Sequence, residues 1–111
     1  MFNARYEITV PSTFGESSPA DIEFVASCLA HVESAMNVRF GACTSVDGRG
    51  NWDNDESVTV KESVILVYSL ATESTFDDWQ FMIDLAEWVK LTMLQSCVLI
   101  AEYPVSRSAL V

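Results

Sequence analysis

Stretches of two-residue and helical period alternate along this chain in an order that few folds accept. Tyr6, Ile8 and Val10 are separated by Glu7 and Thr9, the spacing of a strand with one buried face, and Pro11 ends the pattern. Ser18-Pro19-Ala20-Asp21 then offers a cap, a proline at the first helical position and a carboxylate three residues after the cap. From Pro19 to about Met36, Ile22, Val25, Ala26, Leu29, Val32 and Met36 recur at intervals of three and four, and Asn37 suits a left-handed stop. Val38 to Val46 reads as a second strand, with Gly41 marking an edge. Val58 to Tyr68 reads as a third, and its β-branched and aromatic run Val64-Ile65-Leu66-Val67-Tyr68 suits the centre of a sheet. Thr75-Phe76-Asp77-Asp78 opens a second helix reaching about Leu94, with carboxylates at the positive end of its dipole. Ser96 to Tyr103 forms the last strand before Pro104.

The order β-α-β-β-α-β predicts an α+β fold of ferredoxin-like type: a four-stranded antiparallel sheet with both helices on one face and right-handed crossovers. The 111 residues suit one such domain, spanning 1–111, and are too few for two.

Charge narrows the partners. Lys and Arg number 6 against 16 Asp and Glu, a net charge of −10. Counterion release cannot draw such a surface to DNA or RNA, so no direct nucleic-acid binding is expected, and a protein with a basic surface is the favoured partner. Cys28, Cys43 and Cys97 are odd in number and contain no C-x-x-C pair, which points to a reducing compartment. The first residues carry no leader-like apolar segment, and no apolar run approaches the ~18 residues of a membrane span. A cytoplasmic protein without a membrane partner is expected.

The stretch Val46 to Glu56 reads as a polar recognition loop between the second and third strands. Its candidate binding residues are Asp47, Arg49, Trp52, Asp53, Asp55 and Glu56. Gly48 and Gly50 permit positive φ and would expose Arg49 to an anion, while Trp52 offers a flat face for stacking. A salt bridge from Arg49 to Asp47 or Asp53 is the structural alternative. Counted from Asn51, the oxygens of Asp53, Asp55, Ser57 and Glu62 follow calcium-loop spacing in part. However, Glu56 stands where that loop needs glycine, and strands flank the segment. No metal or other cofactor is therefore expected. His31 is the only histidine and has no nucleophile at a recognisable spacing, and the Gly-Arg-Gly triplet does not form a phosphate loop, so no catalytic residue is assigned and no enzyme is expected.

The second helix carries more apolar surface than one core face requires. Phe76, Trp79, Met82, Ile83, Ala86, Val89 and Met93 form one stripe, and Phe81, Leu85 and Trp88 extend it around the cylinder. Those three are the candidate interface of a homo-oligomer, with the uncovered face of the sheet as a second candidate.

The run Asp47-Gly48-Arg49-Gly50-x-Trp52, with Glu62-Ser63-x-Ile65-Leu66-Val67 and Gln95-Ser96-x-Val98-Leu99, resembles a family of small bacterial and phage domains of unknown function that share a D-G-R-G-x-W loop. The resemblance spans Tyr6 to Val105. It implies a ferredoxin-like domain and no particular activity. The chain departs from that pattern in its acidic loop extension and its tryptophan-rich second helix. Together these features favour a phage-type, non-enzymatic accessory protein that inhibits a host defence factor by occupying its basic, nucleic-acid-binding surface. The alternative is an oligomeric binder that sequesters a nucleotide-like signal, with Arg49 on a phosphate and Trp52 on a base.

Overall fold

In the computed structural model, which describes residues 1–15 and 18–111, the N-terminal alternation becomes strand β1 (Ala4–Pro11). Ala4, Tyr6, Ile8 and Val10 are all at most 1% exposed, so one face of the strand is fully inside. A short ladder, β2 (Thr13–Phe14) with β3 (Ser18–Pro19), leads into helix α1 (Ile22–Phe40). Strands β4 (Thr44–Asp53) and β5 (Thr59–Ala71) form a long hairpin, followed by helix α2 (Phe76–Thr92) and strand β6 (Ile100–Pro104).

The sheet runs β4-β5-β1-β6, with each neighbouring pair antiparallel. Val32 and Met36 of α1 and Met82, Leu85 and Val89 of α2 meet Tyr6, Ile8 and Val67 in one core cluster, so both helices cover the same face. This is the ferredoxin-like arrangement that the element order requires. Burying each aliphatic side chain of this kind contributes about 1.5–3 kcal/mol. A one-residue slip of β1 would carry all of its buried side chains to the other face, which fixes the register.

Several boundaries differ from those expected. Helix α1 is capped by Asp21, whose Oδ1 accepts from the Glu23 and Phe24 amides at 2.8 and 3.3 Å, and not by Ser18. Ile22, expected in the core stripe, is 86% exposed because it lies in the first turn, ahead of the sheet. The helix also passes Asn37 and continues to Phe40. There Phe40 stacks on Tyr6 at 5.2 Å, Arg39 pairs with Asp78 at 2.7 Å, and Gly41 at φ +90° supplies the left-handed cap.

The presumed recognition loop is itself a strand. Residues 47–52 lie within β4, paired with β5 from Thr44↔Tyr68 to Asp53↔Thr59. Gly48 and Gly50 do not adopt positive φ. The reversal occurs at Asn54–Ser57, where Asn54 Oδ1 accepts from the Glu56 and Val58 amides at 2.9 and 3.1 Å and Ser57 takes φ +60°. Asparagine mimics a backbone turn with its side chain, and this moved the bend beyond the glycines. At the other end, β6 begins at Ile100 and not at Ser96, because Leu94 at φ +50° first turns the chain out of α2.

The apolar extension of α2 at Phe81, Leu85 and Trp88 is packed within the chain, whereas Phe76 and Leu91 of the same helix are exposed. Leu85 is 5% exposed and belongs to the core. Phe81 meets Phe40 edge to face at 5.7 Å, and Trp88 stacks on His31 at 3.8 Å. The expected patch of Phe81, Leu85 and Trp88 is therefore not an open surface, since α1 lies across it. No described helix is long and apolar enough to cross a membrane.

Candidate functional site

The sheet face opposite the helices remains uncovered, and its two ends differ. Strand parity places Arg5, Glu7 and Thr9 of β1, Leu66 and Tyr68 of β5, and Val46, Gly48, Gly50 and Trp52 of β4 on this side.

At the β6 end a polar cluster closes the surface. The Arg5 guanidinium lies 3.8 Å from the Tyr68 ring centroid, its Nη2 contacts Glu7 Oε1 at 2.7 Å, and the Tyr103 hydroxyl donates to Glu7 Oε2 at 3.4 Å. Glu7, which reads as a water-facing strand residue, is thereby only 8% exposed. Arg5 and Tyr103 thus supply the partners that a carboxylate needs to be buried at this end of the sheet.

Towards the hairpin the same face opens into a cleft of about 640 Å³, within the usual range of small-ligand sites. Thr9 and Leu66 form part of its lining, together with Trp52, Glu62 and Leu99. The segment carrying Leu99 is drawn alongside β1 by the Thr9 amide, which donates to the Leu99 carbonyl at 3.0 Å. Gly50 pairs with Glu62, and a Cβ there would meet Val64 Cγ1 at 3.7 Å and Glu62 Cγ at 4.0 Å. A glycine at this position leaves the space above Glu62 free. Glu62 and Asp53 of the cleft each have a side-chain partner: Thr13 Oγ1 donates to Glu62 Oε2 at 3.0 Å, and Thr59 Oγ1 donates to Asp53 Oδ1 at 2.8 Å.

The structure divides the expected binding residues into two groups. Trp52, Asp53 and Asp55 line this cleft, and Glu56 is exposed at the turn beside it. Asp47 and Arg49 instead line a separate recess of about 650 Å³ with Val10, Val25 and Ser63, on the helix side of β4. Arg49 and Trp52 lie three positions apart on one strand, so their side chains leave it towards opposite faces of the sheet. Neither alternative salt bridge of Arg49 forms: among the described residues the ion pairs are Arg5–Glu7 and Arg39–Asp78. Among the described residues no group of three or more His, Cys, Asp or Glu is placed to hold a metal ion. His31 belongs to the helix-helix seam, far from this face in the fold's layering.

Sequence reading named Glu62 only as the last oxygen of a partial calcium-loop spacing and Gln95 only within the resemblance, and it did not join either of them to Thr13. For Glu62 a signal was present: it sits between Val60 and Val64 on a strand whose same-face neighbours are apolar, where a carboxylate costs burial energy unless it has a use. Thr13 and Gln95 are brought to it by tertiary structure and carry no local mark. Cys97 also lines the cleft and is exposed. Burial raises the thiol pKa of Cys28, and burial followed by the nearby Glu33 charge raises that of Cys43, so both are poor nucleophiles beside it.

No family model matches the chain, and no curated protein sequence matches it, so the D-G-R-G-x-W resemblance gains no support. Solved structures do match. The fold is similar to that of a phage SAM lyase in complex with S-methyl-5'-thioadenosine, with a TM-score of 0.66 at 14% identity over 92% of this chain and 81% of that one. It is also similar to the periplasmic divalent cation tolerance protein CutA from Archaeoglobus fulgidus, with a TM-score of 0.57 at 13% identity over 98% and 88% of the two chains. CutA from Pyrococcus horikoshii gives 0.56 at 12% identity over 96% and 87%. At such identities these likenesses establish the fold.

Proposed function

We propose that this chain is a phage-type protein that takes S-adenosylmethionine (SAM) into the open-face cleft and breaks it down. The observation that carries this reading is the cleft itself: a hollow with an indole in its wall and a carboxylate, Glu62, held by a residue remote in sequence, on a fold similar to that of a phage SAM lyase. Trp52 gives the adenine a surface to stack on, Leu66 and Leu99 cover the thioether region, and Glu62 accepts the ligand's ammonium group. A net charge of −10 draws in a cationic ligand from a distance.

S-methyl-5'-thioadenosine, the compound held by the phage enzyme, is what SAM becomes when the bond from sulfur to its aminocarboxypropyl chain breaks. The bonding pair stays on sulfur, which leaves as a neutral thioether. The severed carbon closes onto the ligand's own carboxylate, so no atom enters or leaves. This step annihilates a positive and a negative charge, and a water-poor apolar site favours it. It asks no nucleophile of the protein, so the missing Ser, Cys or His constellation does not exclude an enzyme.

The test is incubation of the purified protein with SAM, with products followed by liquid chromatography. S-methyl-5'-thioadenosine should accumulate, and Glu62→Gln should slow it by roughly an order of magnitude or more, the worth of a lost charge-assisted bond. Unchanged SAM, together with no calorimetric heat from S-methyl-5'-thioadenosine, overturns the reading. A homo-oligomer is part of it: Val46, Trp52 and Leu99 are 45%, 40% and 66% exposed on this side, and a second copy laid over them would keep water from the cleft. Light scattering should report a dimer or larger.

One observation favours a second reading, a non-enzymatic inhibitor. Asp53, Asp55 and Glu56 are exposed around the hairpin tip, where carboxylates could stand in for phosphates on the basic surface of a host defence protein. Reversing all three to lysine should then slow association with that partner and flatten its salt dependence. An unchanged association rate overturns this alternative.

A further inference from the structure

The carboxylate of the cleft is held by parts of the chain that are remote in sequence. Thr13 Oγ1 donates to Glu62 Oε2 at 3.0 Å across 49 residues. Thr13 is in turn held by Gln95, whose Nε2 donates to the Thr13 carbonyl at 2.8 Å and lies 3.4 Å from its Oγ1, across 82 residues. The same amide nitrogen reaches the Gly15 carbonyl at 3.1 Å and the Met93 carbonyl at 3.2 Å. The Gly15 amide closes the ring by donating to the Met93 carbonyl at 2.8 Å. Gln95 can reach this place because Leu94, at φ +50°, reverses the chain directly after α2.

The β4–β5 ladder already fixes the backbone at Glu62, so the clamp is not needed to form the strand. What the ladder leaves undetermined is the side-chain rotamer. An extended carboxylate side chain on an open sheet face samples several rotamers, and holding one of them in advance removes that loss from binding. Gly50 places no side chain over the carboxylate, and Thr13 donates to one of its two oxygens, Oε2.

We infer that Thr13 and Gln95 are positioning residues, which fix the Glu62 carboxylate to receive the ammonium group of an adenosyl amino acid. This rests on the function proposed above. The ligand class follows from that function and from the lining of the cleft: Trp52, Leu66 and Leu99 for the nucleoside, and at its edge the Glu62 carboxylate, with Asp53 and Asp55 nearby, for an amine.

Two probes separate the two ends of such a ligand. S-adenosylhomocysteine carries the ammonium group but no sulfonium, so it is not cleaved, and S-methyl-5'-thioadenosine lacks the amino-acid part altogether. Calorimetry should find that Thr13→Val, which keeps the shape and removes the hydroxyl, weakens S-adenosylhomocysteine by roughly three- to tenfold. The same variant should leave the affinity for S-methyl-5'-thioadenosine unchanged. Thr13→Ser should restore the first affinity, and in a Glu62→Gln background Thr13→Val should have no further effect. Equal weakening of both probes, or a Thr13→Val effect that persists without the Glu62 charge, makes the clamp merely structural and overturns the inference. Failure of the wild-type protein to bind either probe is a different result: it overturns the proposed function, and the positioning role with it. Melting temperatures of the variants identify any that fail to fold; should Thr13→Val do so, Gln95→Leu carries the comparison, with weaker S-adenosylhomocysteine binding and unchanged S-methyl-5'-thioadenosine binding expected and equal weakening of both overturning the inference.

Discussion

The imidazole of His31 lies flat against the indole of Trp88, with ring centroids 3.8 Å apart and planes 17° from parallel. The contact joins α1 to α2 on the outer side of the helical layer, where Trp88 is half-buried against the core. It places the His31 ring on the seam between the helices and covers part of the apolar stripe of α2, whose first residue, Phe76, is 78% exposed.

Removing this stack should destabilise the protein without changing its assembly. Stacked rings contribute about 0.5–1.5 kcal/mol beyond the area they bury. His31→Ala should therefore lower Tm by several degrees, at about 4–8 °C per kcal/mol for a domain near this size. His31→Phe should recover most of the loss. Scanning calorimetry checks both, and light scattering should give the same mass for all three proteins; dissociation of His31→Ala into a smaller species would return Trp88 to an intermolecular interface.

A second expectation concerns alkaline pH. Tyr6 is fully buried, its hydroxyl accepts from the Thr75 amide at 3.2 Å, and its pKa is raised above the ordinary tyrosine value, first by burial and then by the nearby Glu102 carboxylate. A folded-state pKa above the unfolded one means that the unfolded chain releases the proton first as pH rises. The stabilisation tied to this group is thus fully present below the ordinary tyrosine value of about 10 and is lost as pH climbs through the raised folded value. Tyr6→Phe should be less stable than wild type at neutral pH, having lost the bond to the α2 cap. Above pH ~10 its stability should fall less steeply, so that the two denaturation curves converge. Parallel curves across that range would show that the Tyr6 hydroxyl has the same pKa in the folded and the unfolded chain.

A third concerns the cysteines. Cys97 is exposed and lines the cleft, whereas Cys28 is buried and Cys43 is half-buried, with both of those thiols pushed up in pKa by burial. Alkylation near neutral pH should label Cys97 first, and S-methyl-5'-thioadenosine should slow that labelling. Mass spectrometry of the labelled peptides reads the result directly. Labelling of Cys97 at the same rate with and without saturating nucleoside would put the ligand elsewhere.

The elements most legible in the sequence are those in which local period and tertiary packing agree. Tyr6, Ile8 and Val10 alternate and are buried as a set, and Thr75 caps α2 with its side chain accepting from the Asp78 amide at 3.0 Å, as the Thr-x-x-Asp spacing implies. Where several residues could serve as punctuation, the reading failed. Asn37 and Gly41 could each end α1, and the choice fell to Phe40 and Arg39, whose partners Tyr6 and Asp78 lie far away in sequence. Gly48 and Gly50 resemble turn residues, yet they lie within a strand, paired with Val64 and Glu62. The cleft was half legible: Trp52 stood out by its chemistry, whereas Thr13 and Gln95 matter only because the fold brings them to Glu62.

Strand parity gives the sharpest separation of the hairpin's two conspicuous residues. Trp52 is 40% exposed in the wall of the cleft, and Arg49 projects from the opposite face of β4. Trp52→Ala should remove base stacking worth about 1–3 kcal/mol, a loss of roughly five- to 150-fold in affinity for S-methyl-5'-thioadenosine. Trp52→Phe should retain part of it. Arg49→Ala should leave that affinity unchanged, because no ligand seated against the indole reaches the guanidinium through the sheet. Calorimetry with the three variants decides the point. A large loss in Arg49→Ala with none in Trp52→Ala would move the nucleoside to the recess beside Val25 and Ser63, on the other side of the strand.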